Sequence, residues 1–200
     1  MKALISIDAS NLHYFCQANK WKIDWELFRN YFNGQYENIR IMYYEGIRSL
    51  GHYRDYNPHT TPQEYKFIKN QKKRFFRYLN NLGFTVRHKV TSRFYDHTLG
   101  RFIHKCNFDV EITIDAIDLI NSYDEFVLVS GDGDFEKLIR YLKGKEKTVT
   151  VVAGKDSVAD KLLEATNRQV FLDDLRGRIE KKIERAAQGS PHSPQTNPEL

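Results

Sequence analysis

Phe126-Val127-Leu128-Val129-Ser130-Gly131-Asp132-Gly133-Asp134-Phe135 is a wholly apolar run that breaks into two glycines and two acids. Four consecutive apolar residues bounded by turn formers read as a strand buried on both faces, and such strands belong to parallel sheets covered by helices. Gly131 and Gly133 let the backbone turn tightly and leave room for a ligand. The residues that follow, Phe135 to Leu142, carry a helical pattern. The same layout stands at the N-terminus, where the apolar run Ala3–Ile7 leads directly into Asp8.

Outward from these two stretches, strands and helices alternate. Ser10 is a candidate cap for a first helix, and Asp24 for a second over Trp25–Phe32. Ile39–Tyr44 reads as a strand and Gly46–Thr61, with Gly, Pro, Asn and His, as a surface loop. A long helix is expected from Pro62 to Asn80, with Tyr65, Ile68, Phe75, Phe76 and Leu79 on its apolar face; Lys72 falls on that side and must snorkel. Phe84–Thr91 is a strand, Arg93–Lys105 a hairpin or flap around Gly100, and Asp109–Ile120 a broadly apolar, largely buried helix. Thr148–Val152 is a strand, Ser157–Ala165 a helix and Val170–Leu172 a short last strand. This alternation predicts a three-layer α/β/α fold with a mostly parallel central sheet. Residues 1–175 form one domain in this reading, followed by a charged C-terminal helix over 176–187 and a tail over 188–200 with the composition of a disordered segment.

Charge is unevenly distributed. Lys66 to Lys105 holds eleven lysines and arginines against the single acid Asp96, a local +10 in a chain of net +5. The remainder is therefore net negative, so the molecule has a basic face and an acidic spot, as a phosphate-gripping surface around a metal should. The two cysteines, Cys16 and Cys106, form no CxxC pair and imply neither a disulfide framework nor a zinc site. The N-terminal apolar run is too short for a signal peptide and no segment is long enough to span a bilayer, so the expected setting is cytoplasmic, without a membrane partner.

Ligands of parallel sheets sit at the carboxyl ends of the strands, where strand order reverses. Asp8, Asp132 and Asp134 each follow a strand, and Asp109 opens a helix whose inward side it shares with Thr113, Ala116 and Ile120; Asp115 and Asp118 point away to solvent. Clustered carboxylates repel unless a cation neutralises them. A shared Mg²⁺ or Mn²⁺ does so, keeps positions open for water and a phosphate oxygen, and activates that water. Taken singly, each acid also fits a helix cap or a loop; their joint placement favours the metal site.

Three motifs in this order, Ile7-Asp8-Ala9-Ser10-Asn11, Lys105-Cys106-Asn107-Phe108-Asp109-Val110 and Ser130-Gly131-Asp132-Gly133-Asp134-Phe135, resemble those of NYN domains of the LabA/DUF88 family, relatives of the PIN-domain nucleases. The resemblance covers about residues 2–175. It implies a Mg²⁺- or Mn²⁺-dependent ribonuclease fold with strand order 3-2-1-4-5, giving products with a 5′-phosphate and a 3′-hydroxyl. Asp8, Asp109 and Asp132 match the metal-binding acids and Asp134 the fourth. Asn11 and Ser130 match the supporting polar residues, and Lys105 the motif lysine, a candidate phosphate contact. Phe108 stands where the family has a small aliphatic residue and Gly133 where it has Ser; neither removes an acid. The 46–61 loop and the 93–105 flap are particular to this chain.

Lys66, Lys69, Lys73 and Arg77 line one face of the long helix and, with Arg87, Lys89, Arg93 and Arg101, form a candidate track for a nucleic-acid backbone. Tyr95 and Phe102 in the flap suit base stacking and hence single-stranded RNA, with core packing as the alternative. His88, His97 and His104 read as surface histidines, Cys16 and Cys106 as buried inert thiols. His52, Tyr53 and Tyr56 are candidates for a substrate or partner surface, between which the sequence does not decide, and the C-terminal helix is a candidate either for packing on the domain or for self-association into a homo-oligomer. Two other functions stay open: a regulatory RNA-binding module with little turnover, and a phosphotransferase using Asp8 as nucleophile. The latter usually carries a second Asp two positions on, where this chain has Ser10.

Overall fold

The computed structural model of the protein describes residues 1–182. In chain order its elements are β1 (Lys2–Asp8), α1 (Ala9–Ala18), α2 (Trp25–Asn33), β2 (Asn38–Ile47), α3 (Leu50–Tyr56), α4 (Pro62–Asn81), β3 (Phe84–Val90), β4 (Ser92–Asp96), β5 (Arg101–Lys105), α5 (Asp109–Asp118), β6 (Glu125–Val129), α6 (Glu136–Gly144), β7 (Thr148–Ala153), α7 (Asp160–Ala165), β8 (Arg168–Phe171) and α8 (Leu172–Ile179). Six parallel strands form the sheet in the order β3-β2-β1-β6-β7-β8, while β4 and β5 pair as a separate antiparallel hairpin. The order differs from the expected 3-2-1-4-5. The hairpin intervenes in the count, and β8 adds a sixth strand to the edge.

Strand alternation divides the core in two. Ala3, Ile5 and Ile7 of β1, with Val127 and Val129 of β6, pack under α1, α2, α4 and α8 through Leu12, Phe28, Leu79 and Leu175. Leu4, Phe126 and Leu128 face the other way, onto Ile112, Ile139 and Leu162 of α5, α6 and α7. Helices on both faces explain why the central strands are mostly apolar, with Ser6, Glu125 and Thr150 the buried polar exceptions. The chain leaves β1 in opposite directions to reach β2 and β6, so strand order reverses between β1 and β6, and the crevice lies where Ile7 pairs with Val129.

Several local expectations change. The first helix is capped by Asp8, not Ser10: the Asp8 carboxylate accepts from the amides of Ser10 and Asn11. The 46–61 segment is not a plain loop, because β2 runs on to Ile47 and Ser49 caps α3. Asp24 does cap α2, and Thr61 with Glu64 closes a capping box on α4. Lys72 pairs with Glu45 rather than snorkelling free. Asp115 is not solvated; it accepts from the fully buried Tyr44 hydroxyl at 2.9 Å and from Arg87 at 3.1 Å. The helix α5 is buried on one side only, since Val110, Ile114 and Ile117 are exposed. The last helix ends at Ile179, where Glu180 bridges to Ile23, short of the expected Ala187; residues 183–200, including the expected tail, lie outside the described residues.

This division of α5 and the full burial of Ile139 on α6 set an order of costs. Ile139→Ala empties a fully buried site and should cost ~2–5 kcal/mol, whereas Ile114→Ala on the exposed face should stay within about 0.5 kcal/mol. Urea unfolding of both variants checks the difference.

Candidate metal centre and nucleic-acid interface

The crevice between β1 and β6 is held together by side chains of the first and third motifs. Asn11, in the first turn of α1, accepts the Gly131 amide on its side-chain oxygen at 3.0 Å. The Ser130 hydroxyl donates to Asp8 Oδ2 at 3.3 Å and accepts the Asp132 amide at 3.2 Å. Asp132 Oδ1 then accepts the Asp134 amide at 2.9 Å, forming the turn (Gly133–Phe135) that leads into α6. This turn forces small residues. A Cβ on Gly131 would lie 2.4 Å from the Ser157 carbonyl oxygen, and one on Gly133 would lie 2.1 Å from Lys161 Cε. The segment leading into α7 thus lies across the third motif, and the Ala159 amide donates to the Gly131 carbonyl.

The second motif arrives from the hairpin. Asp109 opens α5, and Asn107 fixes it from both sides: the Asn107 side-chain NH₂ donates to Asp109 Oδ2, and its oxygen accepts the Asp109 amide, each at 2.6 Å. Asn107 was not singled out from the sequence, although an Asn two positions before an acid at a helix start is an Asx-turn signal. Phe108, the large residue at a usually small position, is buried against Tyr44.

Asp109, Asp132 and Asp134 each offer an oxygen within 4.8 Å of the other two. Asp8 stands beside this triad with its carboxylate engaged in capping α1 and in the Ser130 contact. Burial raises the Asp8 carboxyl above its ordinary range against the pull of those hydrogen bonds, and the Asp109 charge adds to the rise. Burial likewise raises Asp109, opposed by Asn107 and aided by the charges of Asp132 and Asp134. The residues fit a hard divalent cation: an all-oxygen donor set, a spacing one ion can span, and clustered like charges that such an ion would neutralise. The nearby cation is Lys161 of α7, with Nζ 3.7 Å from Asp134 Oδ1. Nothing in the sequence pointed to Lys161, which lies 27 positions beyond the acid it approaches.

The basic track separates into two groups. Lys66, Lys69, Lys73 and Arg77 on α4 and Arg101 on β5 are exposed and make no ion pair among the described residues. Lys105 closes β5, also exposed and unpaired. In contrast, Arg87 pairs with Asp115, Lys89 with Glu111 and Arg93 with Asp55, so these cations are already neutralised within the fold. Phe102 is covered by the Arg93 guanidinium, 3.2 Å from its ring centroid, and packs edge-on to Tyr95.

His104 is not a surface residue. Its side chain is 4% exposed, with Nε2 2.8 Å from Asp55 Oδ2. Its ring lies tilted against His52 at 3.7 Å between centroids, and burial together with His104 pushes His52 down to about 4. His88 stacks flat on Phe76, and His97 packs against Tyr95. Both cysteines are half-buried free thiols; burial pushes Cys16 up to about 11 and raises Cys106 as well, which makes them poor nucleophiles.

A doubly wound parallel sheet with acids gathered at its switch point defines an α/β protein with a candidate cation site at its ligand edge. The model for the NYN domain matches residues 2–173, and the chain belongs to the NYN domain family. It is 35% identical over 180 residues to the low amplitude and bright protein LabA of Synechococcus elongatus, spanning 88% of this chain and 87% of that one. The fold is also that of a crystal structure of a protein of unknown function from Vibrio parahaemolyticus, with a TM-score of 0.66, 24% identity, and coverage of 90% of this chain and 96% of that one. Family membership supports a nuclease or RNA-binding role. No described helix is long and apolar enough to cross a membrane.

Two measurements probe the centre. Saturating Mn²⁺ should raise the thermal midpoint by ~5–10 °C, as expected for an ion at about 100 times its dissociation constant. The gain should shrink as pH falls, because protons compete for Asp8 and Asp109 from a higher pH than usual, and Asp132→Asn should abolish it. Gly131→Ala drives a methyl into the Ser157 carbonyl; it should cost ~1–3 kcal/mol in urea unfolding and weaken the Mn²⁺ response.

Proposed function

We propose that this protein is a divalent-metal-dependent ribonuclease that hydrolyses phosphodiester bonds of single-stranded RNA. The observation that carries this reading is the convergence of Asp109, Asp132 and Asp134 at the sheet's switch point in a chain with a strongly basic face. Asp109, Asp132 and Asp134 would hold Mg²⁺ or Mn²⁺, with Asp8 adding its charge from beside them. When bound, the ion lowers the pKa of a water and stabilises charge on phosphoryl oxygens.

The protein's own residues do the rest. Asn11 and Ser130 lock the first and third motifs together, and Asn107 aims Asp109. Asp134, its side chain 73% exposed, would orient the attacking water from the solvent side or help to hold a second ion. Lys161 limits the repulsion between that carboxylate and an incoming phosphate. Lys66, Lys69, Lys73, Arg77, Arg101 and Lys105 supply the unpaired charge that grips the backbone. Arg87, Lys89 and Arg93 contribute only where a phosphate displaces their carboxylate partners. The free cysteines suit a reducing cytoplasmic setting.

One observation favours a second reading. The hydrogen bonds that engage Asp8 suit a structural acid, and with it a regulatory RNA-binding module of low turnover.

Cleavage of a labelled single-stranded RNA with Mn²⁺, Mg²⁺ or EDTA separates the two. The wild type should cut only with metal and leave 5′-phosphate ends. Asp132→Asn should lose more than the ~10–100-fold that removal of an outer partner of a metal site costs. If both proteins bind the RNA and neither cuts it, the ribonuclease reading fails and the binding module takes its place.

A further inference from the structure

A cleft of about 580 Å³ lies between α3 and α4, away from the acids. Its walls are aromatic and apolar: Tyr53 and Tyr56 from α3, Phe67 and Ile68 from α4. Tyr56 is 76% exposed and Phe67 63% exposed, so core packing does not explain these rings. Large exposed aromatics that line a concavity mark a contact surface.

We propose that this cleft binds a nucleobase of single-stranded RNA and so selects substrates at a distance from the cleavage site. The proposal deepens the ribonuclease reading and rests on its RNA partner, not on its chemistry.

Three features carry it. The first is charge. Helical spacing puts Gln63, Phe67 and Arg74 along one line of α4, with Lys66 beside them. Lys66 and Arg74 are exposed and make no ion pair among the described residues. The one acid of the lining, Glu64, is held by the amide and hydroxyl of Thr61 in the capping box. Aromatic walls under a cationic rim are how proteins hold single strands: the rings stack on bases and the cations follow the phosphates. Gln63 and Asn57 add amides able to meet a base edge.

The second is position. The helix α3 follows the carboxyl end of β2, and β2 lies next to β1, with Tyr44 paired to Asp8. The cleft therefore opens at the same edge of the sheet as the acids. A single strand that runs along this edge can meet both sites.

The third is rigidity. Arg93 of β4 grips Asp55 of α3 through Nε and Nη2, both at 2.7 Å, and His104 of β5 meets the same carboxylate. The Tyr56 ring packs at 5.4 Å from His52 and 5.7 Å from His104. Both strands of the hairpin thus hold α3, and the exposed wall of the cleft is fixed before any ligand arrives, which lowers the ordering cost of binding. Arg93 and His104 act here by positioning α3, not by touching RNA.

The test measures binding in EDTA, so a protein that never cuts RNA is still judged. Fluorescence anisotropy with a single-stranded RNA of about twelve nucleotides should show an affinity loss of roughly tenfold for the double variant Tyr56→Ala/Phe67→Ala, the loss of one stacked base. The thermal midpoint should stay near the wild-type value because both rings are exposed. RNA carrying 5-iodouridine should crosslink to Tyr56 or Phe67, mapped by mass spectrometry. Unchanged affinity in the double variant overturns the proposal, as does failure of the wild type to bind RNA, and either result leaves the cleft to a protein partner. Where cleavage is present, the double variant should lose efficiency on the long RNA while a dinucleotide, too short to reach the cleft, is cut as before.

Discussion

The hydrogen bond from the Gly131 amide to the Asn11 side chain joins segments 120 residues apart, at the point where the sheet reverses its strand order. A second contact, Ser130 to Asp8, spans 122 residues at the same junction. Together they hold the first and third motifs in register against the mutual repulsion of the carboxylates they carry. Without them, the turn at residues 130–134 would be free to move its acids apart, which like charges favour. The two glycines keep the turn compact enough for the α7 segment to lie across it, and Lys161 arrives by that same packing. The fold therefore confines charge as much as it positions it.

The same balance runs through the basic half of the molecule. Four of its cations, Lys72, Arg87, Lys89 and Arg93, are neutralised by Glu45, Asp115, Glu111 and Asp55, and the last three pairs tie the outer strand and the hairpin to α5 and α3. Others, along α4 and at the end of β5, remain unpaired and exposed. A local charge of +10 is thus partly architectural and partly available to a partner. The hairpin serves two ends: its β5 strand leads to Asn107 and Asp109, while Arg93 and His104 hold the helix that walls the aromatic cleft.

Much of this was legible in the chain. The apolar runs at Ala3–Ile7 and Phe126–Val129, interrupted only by Ser6, show a doubly covered parallel sheet because apolar residues face both ways along them. The acids directly after them mark the ligand edge because parallel strands share one polarity. The family's three motifs added Asp109, whose approach to the others depends on the hairpin and α5 rather than on a strand end. Less legible was the division of labour among the acids. Asp8 looks equivalent to Asp132 in sequence, yet its position at the start of α1 commits it to capping, and the tight triad is formed by Asp109, Asp132 and Asp134. The 46–61 segment, rich in turn formers, hid a short helix whose stability comes from Arg93 and His104, more than thirty residues away.

What the sequence determined by itself are properties set by local chemistry: strand and helix periodicity, the cap at Asp24, Pro62 in the first turn of its helix, the glycines of the third motif, and the asymmetry of charge. What only the tertiary structure decided are pairings between distant residues. Asn107 and Asn11 act as clamps, Lys161 faces Asp134, His104 is buried on Asp55, and half of α5 is left exposed. The physical reason is that a side chain's local pattern fixes which way it leaves its own element. What it meets there depends on how the other elements close around the sheet, and for charged groups that meeting decides whether the charge is spent within the fold or offered to a ligand.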